Sequence, residues 1–313
     1  MIMRSRQHLF PILFALAAAQ AHGQTQDSQI EQARQRDALS AGLARPAETL
    51  APSVIEPTLG GDPDSFGIQQ FLRDAERLRL FRAFADLSAF VTSNVALTRK
   101  NPLSDAFLIA TFGFEYRRPL PRGFQIDASL RFATFRYNEY RQLDFSSVDV
   151  GIGVSYHAGK LGGIDLFARY GFNELISAGT NDVFFTNHTV LLGAQKVISF
   201  SQAHYAYVGA SGQLGFADPQ KSERSELSAF AGYHLQATRN LEADLLYRYA
   251  YLRYAEGGRG DHNQTVSLGL RYRFTDWCIA SATSYLSWNR SNQAVFEYDT
   301  ANAGVGLTLS LQF

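Results

Sequence analysis

The chain ends on NAGVGLTLSLQF, Asn302 to Phe313, and this stretch decides how the rest is read. Taken alternately, Ala303, Val305, Leu307, Leu309, Leu311 and Phe313 form an apolar row, and Gly304, Gly306, Thr308, Ser310 and Gln312 a small, polar one. A period of two belongs to a β-strand whose two faces meet different surroundings. Its length matches the roughly 9–11 residues that a tilted strand needs to cross a bilayer.

Working back from this end, the same alternation recurs between turn signals. Residues 83–97 set Ala85, Leu87, Ala89, Val91, Val95 and Leu97 against Asp86, Ser88, Thr92 and Asn94. Residues 106–117 set Leu108, Ala110, Phe112, Phe114 and Tyr116 against Thr111, Gly113, Glu115 and Arg117. In 124–135, Ile126, Ala128, Leu130 and Phe132 oppose Gln125, Asp127, Ser129 and Arg131. In 148–157, Val148, Val150, Ile152, Val154 and Tyr156 oppose Asp149, Gly151, Gly153 and Ser155. Further strands are predicted over 164–173, 188–197, 204–216, 226–236, 241–254, 263–274 and 278–289, which with the terminal strand makes twelve.

A soluble β-sandwich also alternates, but three features favour an all-β, twelve-stranded antiparallel transmembrane barrel. Short connections, such as 119–123, 158–163 and 275–277, alternate with longer ones, such as 98–105, 138–147 and 290–301, as in outer-membrane barrels. The apolar rows end in aromatics: Tyr116, Phe124, Tyr156, Tyr233, Tyr272, Phe274 and Phe313 at the short-turn end, Phe172, Phe216, Tyr251 and Trp288 at the other. Such rings form the girdles at the two membrane interfaces. Finally, the opposite rows are Gly, Ser, Thr and charges, which suits a wet lumen rather than a packed core.

Ahead of the barrel, Arg4 and Arg6 precede an apolar run over 9–19 that leads into Ala19-Gln20-Ala21, so 1–23 reads as a secretory signal peptide. Residues 24–80 read as a periplasmic extension. Pro46, Pro52, Pro57 and Pro63 and the Gly60-Gly61 pair punctuate its first part, which predicts a flexible arm with at most a short helix over 29–43. Residues 65–80, with Phe66, Ile68, Phe71, Leu72, Leu78 and Leu80, predict a helix leading into the barrel at 81–313. Twenty-nine basic and 29 acidic residues balance, which argues against a nucleic-acid partner. The single Cys278 excludes an intrachain disulfide and a cysteine-rich metal site.

The terminal strand closing on Phe313 resembles the signature that the barrel-assembly machinery reads in bacterial outer-membrane proteins. Thr92-Ser93-Asn94-Val95, and Arg136-Tyr137 with Tyr140, Leu143 and Asp144, resemble porin-like outer-membrane barrels of poorly characterised families. Similar barrels form the export domain of surface-lipoprotein assembly modifiers and related exporters. The resemblance spans 84–313 and implies residence in the outer membrane with both termini periplasmic. It implies contact with outer-membrane lipid, and a periplasmic partner docking on 24–80 would suit the export reading. No functional residue is carried over from it.

The inward rows predict a lumen lined by Asp86, Glu115, Arg117, Asp127, Arg131, Asp149, Asp165, Arg169, Glu242, Asp244, Arg248, Arg271 and Arg273. Glu242 is expected near Arg273, and Asp244 near Arg271. Gly193, Gly209, Gly304 and other small residues on these rows are expected to leave a narrow aqueous path unless the amino-terminal arm occupies it. Acids and bases nearly balance, so a weakly selective channel for small polar solutes is the leading reading. A plugged structural or export-accessory barrel is the second, and an outer-membrane hydrolase the third.

Catalysis is disfavoured because Thr189 adjoins His188 in a strand and so faces away from it, and a His-x-Ser spacing is missing. No metal, cofactor or catalytic residue is expected. The Arg259-Gly260-Asp261 tripeptide reads as a glycine-rich turn rather than an adhesion site.

Overall fold

Twelve strands close edge to edge into one antiparallel barrel, each pairing with its sequence neighbours and the first with the last. The computed structural model describes residues 26–36 and 79–313. The strands are β1 (Phe81–Thr92), β2 (Asp105–Pro119), β3 (Phe124–Tyr137), β4 (Phe145–Ala158), β5 (Ile164–Ser177) and β6 (Val183–Ser199). They continue as β7 (His204–Asp218), β8 (Arg224–Gln236), β9 (Leu241–Tyr254), β10 (Gly260–Thr275), β11 (Cys278–Ser291) and β12 (Tyr298–Gln312). The expected signal peptide and the expected helix over 65–78 lie outside the described residues, and Arg79 and Leu80 are irregular.

The terminal stretch closes the cylinder. Its register with β1 runs from Arg82 opposite Gln312 to Thr92 opposite Asn302. The Phe81 N–H donates to the Phe313 carbonyl at 2.9 Å and the Phe313 N–H to the Phe81 carbonyl at 3.0 Å. Closure satisfies every strand edge, as it must where no water can pair with the backbone.

The faces divide as the alternation predicts. Leu87, Phe112, Ile152, Leu192 and Val305 on the outward rows are each more than half exposed. Soluble monomers rarely show an apolar surface this continuous, so it is the lipid-facing belt of a transmembrane barrel. Most strands run beyond the predicted bounds, and the longer connections shrink to 138–144, 178–182, 219–223, 255–259 and 292–297. β1 instead stops at Thr92, so the first connection lengthens to 93–104, and Val95 and Leu97, expected on the outward row, are buried. The inequality between the two ends is therefore smaller than the sequence suggests. Near the long-loop end both faces of a strand are apolar, and there the periodicity had hidden the strand ends.

A helix, α1 (residues 26–36), lies inside the barrel. The flexible arm expected here is thus an ordered element over these residues.

Candidate functional site: the lumen and its internal helix

Eleven residues rarely hold a helix in water, so packing must sustain α1. Its charges favour the helix, with Asp27 in the first turn and Arg34 and Arg36 in the last, matching the backbone dipole. Ile30 and Ala33, one turn apart, pack into a cluster of inward residues: Val95, Ile109, Phe135, Leu143, Phe145, Leu175 and Phe185. The remaining faces are polar because they meet a polar wall on every side. No single apolar stripe was needed, and this is why the sequence showed no sustained period.

Hydrogen bonds fix the depth of α1. Lys221 pairs with Asp27 at 3.1 Å at the long-loop rim. One turn deeper, Arg224 donates to Glu31 Oε2 at 2.8 Å. Tyr298 receives a bond from Gln35 Nε2 at 2.7 Å and donates to Glu31 Oε1 at 3.4 Å. Gln32 donates to the Val95 carbonyl and accepts from the Tyr137 hydroxyl, and Arg34 donates to the Ser222 carbonyl. The inner end is set by Arg36, which reaches Thr111, a residue paired with Asp86 midway along β1. The Arg34 and Arg36 guanidinium groups also lie over the Phe185 and Phe135 rings, at 5.0 and 5.1 Å from their centroids. Burial above all, then the like charge of Arg224, pulls Arg34 down to about 10, so it is still a cation at neutral pH.

The short motifs singled out in the sequence build this dock. Asn94 ties the turn after β1 to the Thr98 and Asp299 carbonyls at 2.7 and 2.9 Å, and so presents the Val95 carbonyl to Gln32. Asp144 accepts the Tyr137 N–H at 2.7 Å, and Leu143 joins the cluster beneath Ile30. The aromatic dock itself was missed. Its signal was present where Phe107, Ile109, Phe135, Phe145, Leu175 and Phe185 interrupt the polar row.

Below α1 the inward rows carry charge, mostly in pairs. Asp86 accepts from Ser88 and Thr308, both at 2.8 Å. Glu115 meets Arg82 at 3.3 Å, Asp127 meets Arg169, and Glu226 joins Arg248 and Arg224. Asp165 bonds the His157 ring at 2.7 Å. Asp244 bonds both His234, at 2.7 Å, and Arg271, at 2.9 Å, while Arg273 stands 3.6 Å from Glu242.

These last pairs are the expected ones in a different register. Asp244 lies opposite Gly269, so the two expected pairs run diagonally, and Arg271 also stands 3.7 Å from Glu242, directly opposite it. Arg117 and Arg131 have no hydrogen-bond or ion-pair partner among the described residues, although they stand opposite Asp127 and Asp149.

The small inward residues do not leave the room expected of them. A Cβ added at Gly193 would sit 2.3 Å from the Phe167 ring, one at Gly209 2.3 Å from Phe230, and one at Gly304 2.3 Å from Phe90. Phe84 covers Gly113 and Tyr207 covers Gly232 in the same way. In each case an inward ring lies flat over a glycine of the adjacent strand, because only a residue without a Cβ lets it lie there. Space remains around α1: a cavity of about 340 Å³ on one side, one of about 180 Å³ on the other, and a mouth of about 940 Å³ at the long-loop rim.

Outside, Phe81 joins Phe114, Tyr116 and Phe313, Phe124 packs on Tyr156, and Tyr272 packs on Phe274, all near the short-turn end. Phe200, His204 and Tyr233 form another group at that end. Phe172 and Tyr251 each pack at a tilt against a histidine, His188 and His262, and Trp288 stands opposite Gln264 and Asp299.

His188 is exposed and bonds the Tyr170 hydroxyl at 2.7 Å, whereas Thr189 faces inward and bonds the Gly171 carbonyl. The inward His157 and His234 are oriented by carboxylates, yet no serine is among their described partners. Among the described residues no three His, Cys, Asp or Glu side chains converge as a metal site. Arg259 clasps Asp261 and lies between the Tyr254 and Phe296 rings, so the tripeptide, whose Gly260 and Asp261 already belong to β10, is held in place rather than displayed.

With this geometry in place, solved structures give the fold its relatives. An outer membrane channel from Pseudomonas putida F1 matches with a TM-score of 0.52 at 7% identity, covering 74% of this chain and 95% of that one. The chain has the outer-membrane β-barrel fold. The translocator domain of autotransporter NalP from Neisseria meningitidis matches with a TM-score of 0.43 at 13% identity, covering 74% and 88%. KdgM porin matches with a TM-score of 0.40 at 9% identity, covering 73% and 99%. No protein-family model and no curated protein sequence matches the chain.

Proposed function

We propose that the chain is a narrow, weakly selective channel of the outer membrane for small polar solutes, and that α1 is its internal plug. The observation that carries this reading is the way α1 is held. Its apolar anchorage is essentially Ile30 and Ala33, and the rest is side-chain hydrogen bonds worth about 1 kcal/mol each. Against this stands an ordering cost of about 1 kcal/mol or more for each of its residues. A helix so balanced can leave without unfolding the barrel, and its departure would join the cavities into one path. The paired lumenal charges leave little net field, which suits weak selectivity.

In this reading the short-turn end, which holds Phe81 and Phe313, faces the periplasm, and the terminal strand is what the assembly machinery engages. A periplasmic partner of the 24–80 extension would then dock on the part of it that does not form α1. The reading is non-enzymatic; it is supported by the histidine–carboxylate pairs, which among the described residues have no serine as a hydrogen-bond partner.

Single-channel conductance of the refolded chain, beside a variant lacking residues 26–36, tests this. Larger or more frequent steps on deletion support the plug, and equal steps in both make α1 incidental. Silence in both, with the barrel folded, moves the reading to a structural or export-accessory barrel.

A further inference from the structure

The cavity of about 340 Å³ beside α1 is large enough for a small ligand, and its lining is not self-satisfied. Arg131 on β3 faces it from opposite Asp149, but that carboxylate is already engaged. Its Oδ1 accepts from Asn173 Nδ2 at 2.6 Å and its Oδ2 from the Ser147 hydroxyl at 3.1 Å. Arg131 therefore presents its guanidinium to the cavity with no carboxylate partner among the described residues. The other wall arginines differ, with Arg169 on Asp127 and Arg248 on Glu226. Two buried polar atoms on the same lining also lack a partner, Asn187 Oδ1 and Arg224 Nε.

The rest of the lining has two characters. Phe167 and Phe230 lie with one face on Gly193 and Gly209, which turns the other face to the cavity. Between them stand hydroxyls and amides, among them Gln195 and Gln213.

We infer that Arg131 anchors a lumenal subsite for a small, hydroxyl-rich anion, a sugar acid or sugar phosphate. A guanidinium binds a carboxylate or phosphate through two parallel N–H donors. The flat C–H face of a sugar ring fits an aromatic face, and its hydroxyls match the amides and the two orphaned atoms. The inference rests on the reading of the lumen as a solute space, and it adds which solute.

The test is calorimetric titration of the full refolded chain in detergent at low salt with glucuronate, glucose 6-phosphate, inorganic phosphate and glucose. Its readout is binding rather than conductance, so a failure of this inference and a failure of the channel reading are told apart. Saturable binding of glucuronate or glucose 6-phosphate is expected, at least ten-fold tighter than glucose. Which of the two binds tighter identifies the anion, and inorganic phosphate binding as tightly as either would overturn the sugar class.

Arg131→Gln should weaken binding ten-fold or more and Arg131→Lys less. Arg117→Gln, which removes an equally unpaired inward arginine from outside the cavity, should leave it unchanged. Equal binding by wild type and Arg131→Gln, the same loss in Arg117→Gln, or no saturable binding would each overturn the proposal. Heat-modifiable gel mobility checks that each variant is folded.

Discussion

The two halves of the lumen obey different physics. At the long-loop end the inward residues include a buried aromatic cluster that receives one face of α1. At the short-turn end they are carboxylates, arginines and histidines, most of them paired across neighbouring strands. One half has borrowed the logic of a soluble protein and the other keeps that of a water-filled barrel. A polar inward row therefore tells a reader that a barrel is wet only as far as that row continues.

The largest effect that would break this contrast is on the core. Phe135 is buried, stacks on Phe145 with ring centroids 4.2 Å apart, and carries Arg36 over its face. Phe135→Ala should cost roughly 3–5 kcal/mol, expressed mainly as lost hydrogen-exchange protection of residues 26–36 while the barrel keeps its heat-modifiable mobility. Protection equal to wild type would mean that α1 does not depend on the aromatic dock.

Next comes the wall itself. Leu130 is half exposed on the outer face, and Leu130→Arg should cost about 2–4 kcal/mol in a urea folding titration into vesicles. Ser129→Arg, one position along and facing inward, should fold nearly as well as wild type. Similar losses at both positions would sink the division into lipid and lumen faces.

A smaller effect sharpens the account of the glycines. Gly193→Ala should cost roughly 1–3 kcal/mol by crowding Phe167. Adding Phe167→Ala should recover much of that loss; no recovery would mean the glycine serves the backbone rather than the ring. The smallest effect belongs to the charged half. Arg273 is 42% exposed and 3.6 Å from Glu242, so Arg273→Gln should change stability by less than about 1 kcal/mol in the same titration.

Much of the barrel was legible residue by residue. Leu130 beside Ser129, and Val305 beside Gly304, mark lipid and lumen without reference to any distant residue. The terminal strand was legible for the same reason. The dock was harder, because Phe107 and Ile109 read as irregularities until a partner is known. Glu242, Asp244, Arg271 and Arg273 were named as neighbours, but the register that makes them diagonal depends on where the turn between β9 and β10 begins.

Fold class, strand number and the sorting of side chains into two faces follow from the chain's own order. The contrast between lipid and lumen repeats every second residue, so it is written locally. The helix in the lumen, the diagonal ion pairs, the rings over glycines and the unpaired Arg131 follow only from folding. Their partners stand far apart in the chain, 63 positions from Gln32 to Val95 and 267 from Glu31 to Tyr298. No local period can carry such a contact.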